Sequence, residues 1–282
     1  MSRRSAKIRN QVFRHAVLTG AAIVMLFPLL WLIMSAFKPD DMIFSHPLAL
    51  PDKLDFSNFS EGWTELRVSF TTFYKNSFIV AGLAVIGNLL ACSLTAFAFA
   101  RLEFWGKKVW FALMLMTLML PYHVTLVPQY IMFLKIGWVG TYLPLIVPKF
   151  LAVDAFFIFL MVQFFRGIPR EIDEAAIMDG CGPWRIYWKI MLPLSTPVLA
   201  TAAIFSFIWT YDDFLGPLIY LNDPRTYTVP LALRSFVDSS GGESLYGELF
   251  AMSALSLVPV FIVFLAFQRL IIRGVALGAL KR

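Results

Sequence analysis

The chain has 282 residues, 59% of them hydrophobic and 15% charged, and its mean hydropathy is +0.72. A soluble domain is usually about 45–50% apolar and about 25% charged, so the composition excludes an ordinary soluble core and predicts an integral membrane protein. The net charge of +6 comes from basic residues at the ends of apolar segments, which indicates membrane topology rather than a nucleic-acid partner. Two cysteines and three scattered histidines indicate neither a disulfide framework nor a metal site.

Six segments are long and apolar enough to span a bilayer, which takes about 20 mostly apolar residues. The predicted fold class is therefore all-α with six transmembrane helices. The first segment is too long, and too rich in large residues in its distal half, for a cleaved signal peptide. In chain order the segments are Ala16–Phe37, Asn76–Ala100, Val109–Leu134, Tyr142–Phe165, Thr196–Leu221 and Leu249–Phe267. Prolines that predict bends around a cavity are Pro121, Pro128, Pro144, Pro148 and Pro259.

The distribution of basic residues predicts the orientation of these segments. With the amino terminus inside, the inner stretches carry sixteen Lys and Arg residues and the outer stretches carry seven, as the positive-inside rule requires. We therefore predict one transmembrane domain over residues 1–282 with both termini in the cytoplasm. The predicted outer loops are residues 38–75 and 222–248, the inner loop is 166–195, and the cytoplasmic tail is 274–282.

The inner loop has the pattern of two short helices that meet at a glycine joint. Pro169 and the acidic residues that follow it suit the first turn of a helix, Gly180 and Gly182 predict its end, and Pro183 predicts the start of the second helix. One face of the first helix, by spacing of three and four residues, carries Ile172, Ala175, Ala176 and Asp179. The two alanines allow close approach either of a partner or of the chain's own membrane domain.

The same loop resembles the EAA loop of ABC importer permeases in its glutamate, both alanines, its glycine and its Ile-x-Leu-Pro end, at the family spacing. The matching residues are Glu174, Ala175, Ala176, Gly180, Ile190, Leu192 and Pro193. From residue 76 to the carboxyl terminus, further stretches resemble the sugar-permease branch, most of all the maltose-type subunit with six spanning helices. These stretches are Asn76–Val80, Pro128–Tyr130, Gln163–Glu171, Phe205–Phe214, Pro217–Leu218 and Gln268–Ala279.

The resemblance implies a type I ABC importer permease of the bacterial inner membrane, which forms half of a path for a sugar or sugar-like solute. Its implied partners are a second, homologous permease, two ATPase subunits and a periplasmic solute-binding protein. The loop would rest in a cleft of an ATPase subunit, and the tail Gly274–Arg282 is a further candidate contact. The implied ATPase-coupling residues are Glu174, Ala175, Ala176, Asp179, Gly180, Ile190, Leu192 and Pro193.

The chain has no G-x-x-x-x-G-K-[ST] phosphate loop and no hydrolase, zinc-protease or dinucleotide motif. We therefore predict that it is not an enzyme and binds no cofactor itself, and that its partner ATPase subunits use ATP and Mg²⁺. Two other classes stay open at this point. A secondary transporter would show paired broken helices and inverted repeats, and a membrane enzyme or channel subunit would leave the loop unexplained. Within the ABC class, the solute could also be an amino acid, a metal or a polyamine.

Charged residues inside predicted spans indicate a functional site by default, because they are costly in lipid. Lys149 and Asp154 lie in the fourth segment, and Asp212 and Asp213 lie in the fifth, beside Tyr211, which could stack on a sugar ring. All five are candidate path residues, and we predict that at least one of Lys149, Asp154 and Asp212 lines the solute path. A free lysine there would favour an acidic solute. The structural alternatives are a lysine that reaches the outer surface, aspartates in a wet vestibule and a tyrosine that only packs.

Overall fold

The computed structural model describes residues 3–51, 53–238 and 245–279, with side chains at 10–51, 53–237 and 245–268. Every regular element in the described residues is helical, so the predicted all-α class is confirmed. The helices are α1 Arg3–Ser35, α2 Asp40–Ser45, α3 Ser57–Thr64, α4 Phe70–Arg101, α5 Lys107–Thr117, α6 Tyr122–Lys135, α7 Leu143–Ile146, α8 Ala155–Gly167, α9 Glu171–Met178, α10 Pro183–Ile186, α11 Leu192–Leu194, α12 Thr196–Tyr211, α13 Leu215–Tyr220, α14 Val229–Asp238 and α15 Tyr246–Ala279. Short 3-10 turns occupy Val147–Leu151 and Pro224–Thr226, and a π turn occupies Tyr187–Met191.

Among the described residues, four stretches are long and apolar enough to cross a membrane, and there are up to six if each of two bent helix pairs forms one span. The first pair, α5 with α6, bends by 100°, and the second, from Pro183 to Tyr211, bends by 78°. The number of spans therefore stays a prediction. The four stretches that meet the length and hydropathy requirement without such pairing are Asn10–Ser35, Phe70–Arg101, Leu143–Gly167 and Tyr246–Gln268.

The prolines have unequal effects on the predicted segments. The third segment is interrupted at Pro121, which has extended backbone angles and precedes α6. Proline disfavours helical angles in the residue before it and lacks an N–H of its own, which accounts for the break. Pro128 and Pro259, in contrast, lie inside the continuous helices α6 and α15.

The chain divides into two compact units, Met1–Phe70 with Leu233–Val258, and Thr71–Ala232 with Pro259–Arg282. In the first unit, the predicted outer loop contains α2 and α3, and side-chain hydrogen bonds hold it in place. The Asn58 amide donates to the carbonyl oxygens of Ala36 and Lys38, at 3.1 and 2.9 Å. The Asp40 carboxylate accepts from the Gly247 backbone N–H at 2.6 Å and so caps the start of α15.

In the second unit, α4, α8 and α12 surround the main apolar core, and the helices of the inner loop pack against it. A polar contact joins two of these helices: the Asn88 amide of α4 donates to the Ser206 hydroxyl of α12 at 2.9 Å. At the other end of α4, the Asn76 amide donates to the carbonyl oxygens of Arg225 and Tyr227, both at 2.9 Å. These bonds fix the stretch before α14 against the beginning of α4.

Candidate functional site

The first helix of the inner loop, α9, ends in a Schellman motif. Gly180 has a φ of +76°, and its N–H donates to the Ile177 carbonyl at 2.9 Å. The Cys181 N–H donates to the Ala176 carbonyl, also at 2.9 Å, which completes the pair of bonds that defines the motif. The predicted stop at Gly180 is confirmed, and so is the start of the second helix at Pro183. Glycine suits this position because a left-handed φ is costly for other residues.

The predicted common face of α9 is divided between two environments. Ala176 is only 6% exposed and belongs to the main core of the second unit. Glu174, Ala175 and Asp179 are exposed, and Met178 beside them is 87% exposed. Of the two alternatives for the alanines, packing against the chain's own domain therefore applies to Ala176, whereas the glutamate and the first alanine are open to a partner. Contact of α9 with an ATPase stays a prediction.

An ion pair that the sequence did not reveal holds α9 to the end of α4. The Nε atom of Arg101, the last residue of α4, lies 3.0 Å from Oδ2 of Asp173, and the side chains are only 5% and 15% exposed. Its Nη2 atom donates to the Ile168 carbonyl at 2.8 Å. The Nε contact is an ion pair by distance, although the N–H direction does not make it a hydrogen bond. One arginine thus binds both the start of the loop and its first helix.

The second half of the loop is anchored on α4 as well. Tyr187 is buried, its hydroxyl lies 2.8 Å from the Ser93 hydroxyl, and its ring centroid lies 5.4 Å from that of Phe97. The π turn that begins at Tyr187 ends just before Leu192 and Pro193. Proline has no N–H to donate to the helical hydrogen bonds, which accounts for the wider π turn before Pro193. Of the remaining motif residues, Ile190 and Leu192 are partly buried and Pro193 is exposed.

The predicted fourth span is broken at its middle, and the break brings two charges together. A 3-10 turn, Val147–Leu151, is followed by Ala152 at a φ of +55°, and α8 begins at Ala155. The Lys149 ammonium consequently lies 2.9 Å from Oδ2 of Asp154, with the side chains 27% and 26% exposed. An ideal helix sets residues five apart about 140° apart around its axis, and the break in this stretch removes that separation.

The ion pair lies against α4 and close to a further carboxylate. A Cβ at Gly87 would lie 2.7 Å from the Phe150 ring, so this glycine allows the 3-10 turn to touch α4. Lys149 also acts electrostatically on Asp213, whose Oδ1 accepts from the Gly216 N–H at 3.1 Å in the turn between α12 and α13. The structure therefore brings Lys149, Asp154 and Asp213 into one region.

The two other predicted path residues are in different surroundings. Tyr211 is 2% exposed, and its ring packs 5.4 Å from Phe207 and 5.9 Å from Phe78, so packing is its visible role. Asp212 is exposed at the end of α12. It has no ion-pair partner among the described residues. The tail Gly274–Arg282, predicted to contact the ATPase, lies outside the residues whose side chains are described.

Comparison with known proteins identifies the family. Residues 87–277 match the family model described as a binding-protein-dependent transport system inner membrane component. The diacetylchitobiose uptake system permease protein of Streptomyces coelicolor is 32% identical over 98% of this chain and 91% of its own. The trehalose/maltose transport system permease protein of Thermococcus litoralis is 32% identical over 97% of this chain and 99% of its own.

A solved structure shares the fold. A chain of a bacterial ABC transporter involved in the import of the acidic polysaccharide alginate superposes with a TM-score of 0.82 at 24% identity, over 95% of this chain and 98% of that one. The match to the family model and the two relatives cover most of the sequence, including the whole inner loop. The chain therefore belongs to the inner membrane components of binding-protein-dependent transport systems, as a multi-pass membrane permease subunit rather than an enzyme.

Proposed function

We propose that this chain forms half of the translocation path for a sugar or sugar-like solute and receives the energy of ATP hydrolysis through its EAA loop. A second, homologous permease would form the other half, two ATPase subunits would bind ATP and Mg²⁺, and a periplasmic protein would deliver the solute. Relatives that align along nearly the whole chain are named for diacetylchitobiose and for trehalose or maltose, which supports a carbohydrate. The sugar-branch motifs outside the loop support the same class.

The coupling proposal rests on the way in which α9 is attached to α4. Its outer side, with Glu174 and Ala175, is exposed, while Arg101 and Tyr187 tie the two halves of the loop to the same helix, α4. A helix that must transmit a movement needs a free contact side and a stiff attachment, and these residues supply both. A push on α9 would reach α4 through a buried ion pair and a buried tyrosine.

We propose six spans with both termini in the cytoplasm, which places the EAA loop on the side of the ATPase. Each bent helix pair would then act as one broken span, as occurs where helices line a cavity. The excess of basic residues in the inner stretches, sixteen against seven, supports this orientation. A cysteine-labelling map of single sites in residues 38–75, 166–195 and 222–248, made with a membrane-impermeant thiol reagent, tests it. Labelling of the 166–195 sites in intact cells would refute the orientation.

On the proposed solute path, the charges favour an uncharged sugar. Lys149 is neutralised by Asp154 at 2.9 Å, so the free lysine that would favour an acidic solute is absent from this arrangement. The Asp213 carboxyl group adds a further polar group nearby. We expect a binding protein encoded beside this chain to bind neutral sugars, with hydroxyls as hydrogen-bond donors to the carboxylates. A screen of neutral sugars against uronic acids, by isothermal titration calorimetry, would contradict this expectation if only the acids bound.

Reconstitution in liposomes tests the function as a whole. This chain alone should show no ATP-dependent uptake, and uptake should require the second permease, the ATPase subunits and the binding protein. Glu174→Lys should abolish uptake while membrane insertion stays normal, because it reverses a charge on the exposed side of α9. Glu171→Lys is the matched control, since it makes the same change in the first turn of the same helix outside the motif. Uptake by this chain as the only subunit, or equal uptake by the two variants, would refute the proposal.

A further inference from the structure

A basic cleft lies beside the start of α5 and shares only Arg166 with the predicted inner loop. Its volume is about 540 Å³, and residues from the turn between α4 and α5 line it together with Arg166 at the end of α8. Three of its side chains are cations: Lys107, Lys108 and Arg166. The Arg166 guanidinium lies 5.0 Å from the centroid of the Phe111 ring, which fixes one cation at the cleft wall.

The charges in the cleft do not cancel. Its one acidic residue, Glu103, accepts from the Lys107 ammonium at 2.9 Å, and the hydrogen bond and charge of that lysine hold the pKa of Glu103 below its usual range. Lys108 and Arg166 are exposed, and no carboxylate of the described residues lies within ion-pair distance of either. Two positive charges around a concave surface are therefore left without an ion-pair partner among the described residues.

The surface that continues from the cleft is apolar. No residue of α5 is buried, and Val109, Leu113 and Met116 are exposed along it. Trp105, beside the cleft, is 91% exposed, and tryptophan is enriched where a membrane meets water. A ligand that fits the whole surface needs a negative head and a long apolar tail.

We infer that this cleft binds the phosphate head group of an anionic phospholipid, whose acyl chains lie along α5. Clusters of Lys and Arg between membrane helices, next to the interface, are the chemistry that recognises such head groups. A zwitterionic lipid would bring no net charge to the two unpaired cations. Free phosphate would satisfy the cations but would leave the apolar side of α5 without a partner.

Lipid retention by the assembled transporter tests the inference. The complex is equilibrated in detergent with equal amounts of phosphatidylglycerol and phosphatidylcholine, and the lipid that stays bound after washing is counted by native mass spectrometry. We expect selective retention of phosphatidylglycerol. The pair Lys108→Gln with Arg166→Gln should weaken it by about fivefold for each lost charge. The matched control, Lys53→Gln with Lys135→Gln, removes two exposed charges elsewhere and should change nothing.

The conservative pair Lys108→Arg with Arg166→Lys should keep the lipid, which separates loss of charge from loss of folding. Inorganic phosphate, added to the wash, should not displace phosphatidylglycerol. Equal retention of the two lipids, an equal loss in the control variant, or displacement by phosphate would overturn the inference. It would also be overturned if the double glutamine variant kept its lipid and lost its ATPase subunits, because the cleft would then be a protein contact.

Discussion

Removal of Asp173 should loosen the coupling helix while leaving the membrane helices intact. At 3.0 Å and an effective dielectric constant of about 20, the attraction between Arg101 and Asp173 is about 5 kcal/mol. Desolvation offsets much of that attraction, but removing one partner of a buried pair leaves the other charge unpaired, at a cost of about 3–5 kcal/mol. Asp173→Ala should therefore raise the population of the open α9 by about 100-fold or more.

Hydrogen–deuterium exchange of the assembled transporter measures this opening directly. The amides of α9 should exchange faster in Asp173→Ala, and those of α12 should not change. Arg101→Ala should have the larger effect, because it also removes the hydrogen bond of 2.8 Å to the Ile168 carbonyl, and a bond to a charged group contributes about 1.5–3 kcal/mol. ATP-dependent uptake should fall in the same order.

The double variant decides whether the two residues act together. When both partners are absent, no buried charge is left unpaired, so the combined effect should be smaller than the sum of the single effects by about 1–3 kcal/mol. A combined effect that equals the sum would mean that the pair contributes nothing as a pair. Exchange rates that match the parent in both single variants would refute the idea that the pair anchors the loop.

Further predictions address the glycine joint, the tyrosine anchor and the charge pair. Gly180→Ala should cost about 1–2 kcal/mol of α9 stability, because the φ of Gly180 is +76°. It should slow uptake more than the control Gly182→Ser, since the φ of Gly182 is −76°. Equal uptake rates in the two variants would argue against a role for the glycine joint at Gly180. Tyr187→Phe should cost about 1 kcal/mol of stability, seen as faster exchange in the π turn. Lys149→Met should lower expression and uptake, because it leaves Asp154 without an ion-pair partner in a half-buried site. Adding Asp154→Leu should restore expression. Normal uptake in that double variant would show that the pair has no role in the solute path.

Local signals in the sequence were enough to predict the parts of the inner loop. Gly180 and Pro183 act on their immediate neighbours, so the end of α9 and the start of α10 could be read from residue type alone. The apolar segments were recognisable for the same reason, since a membrane requires every span to be continuous in hydropathy. The breaks within these segments were harder to predict, because proline does not always interrupt a helix: Pro121 interrupts its segment, while Pro128 lies within a helix.

The anchors of the loop could not be predicted, because they join residues that are distant in the chain. Ser93 and Tyr187 are 94 positions apart, and Asn76 bonds a carbonyl 149 positions away. In the sequence, Arg101 is a basic residue at the end of a span, and Asp173 is an acid in the first turn of a helix. Each residue is explained by its immediate surroundings, so neither indicates a distant partner. Only the packing of α9 against α4 makes them one ion pair.

The fourth span shows how a break in a helix allows two charged residues of one segment to pair. An ideal helix places Lys149 and Asp154 on different sides, and so leaves each charge to find its own partner in the membrane. Two unpaired charges there would each cost about 2.5–3.5 kcal/mol. A 3-10 turn and a left-handed residue, Ala152, instead interrupt the helix between them and allow the ion pair at 2.9 Å. Backbone strain of about 1–3 kcal/mol at such a residue is smaller than the cost of the two isolated charges, so the break is the cheaper arrangement.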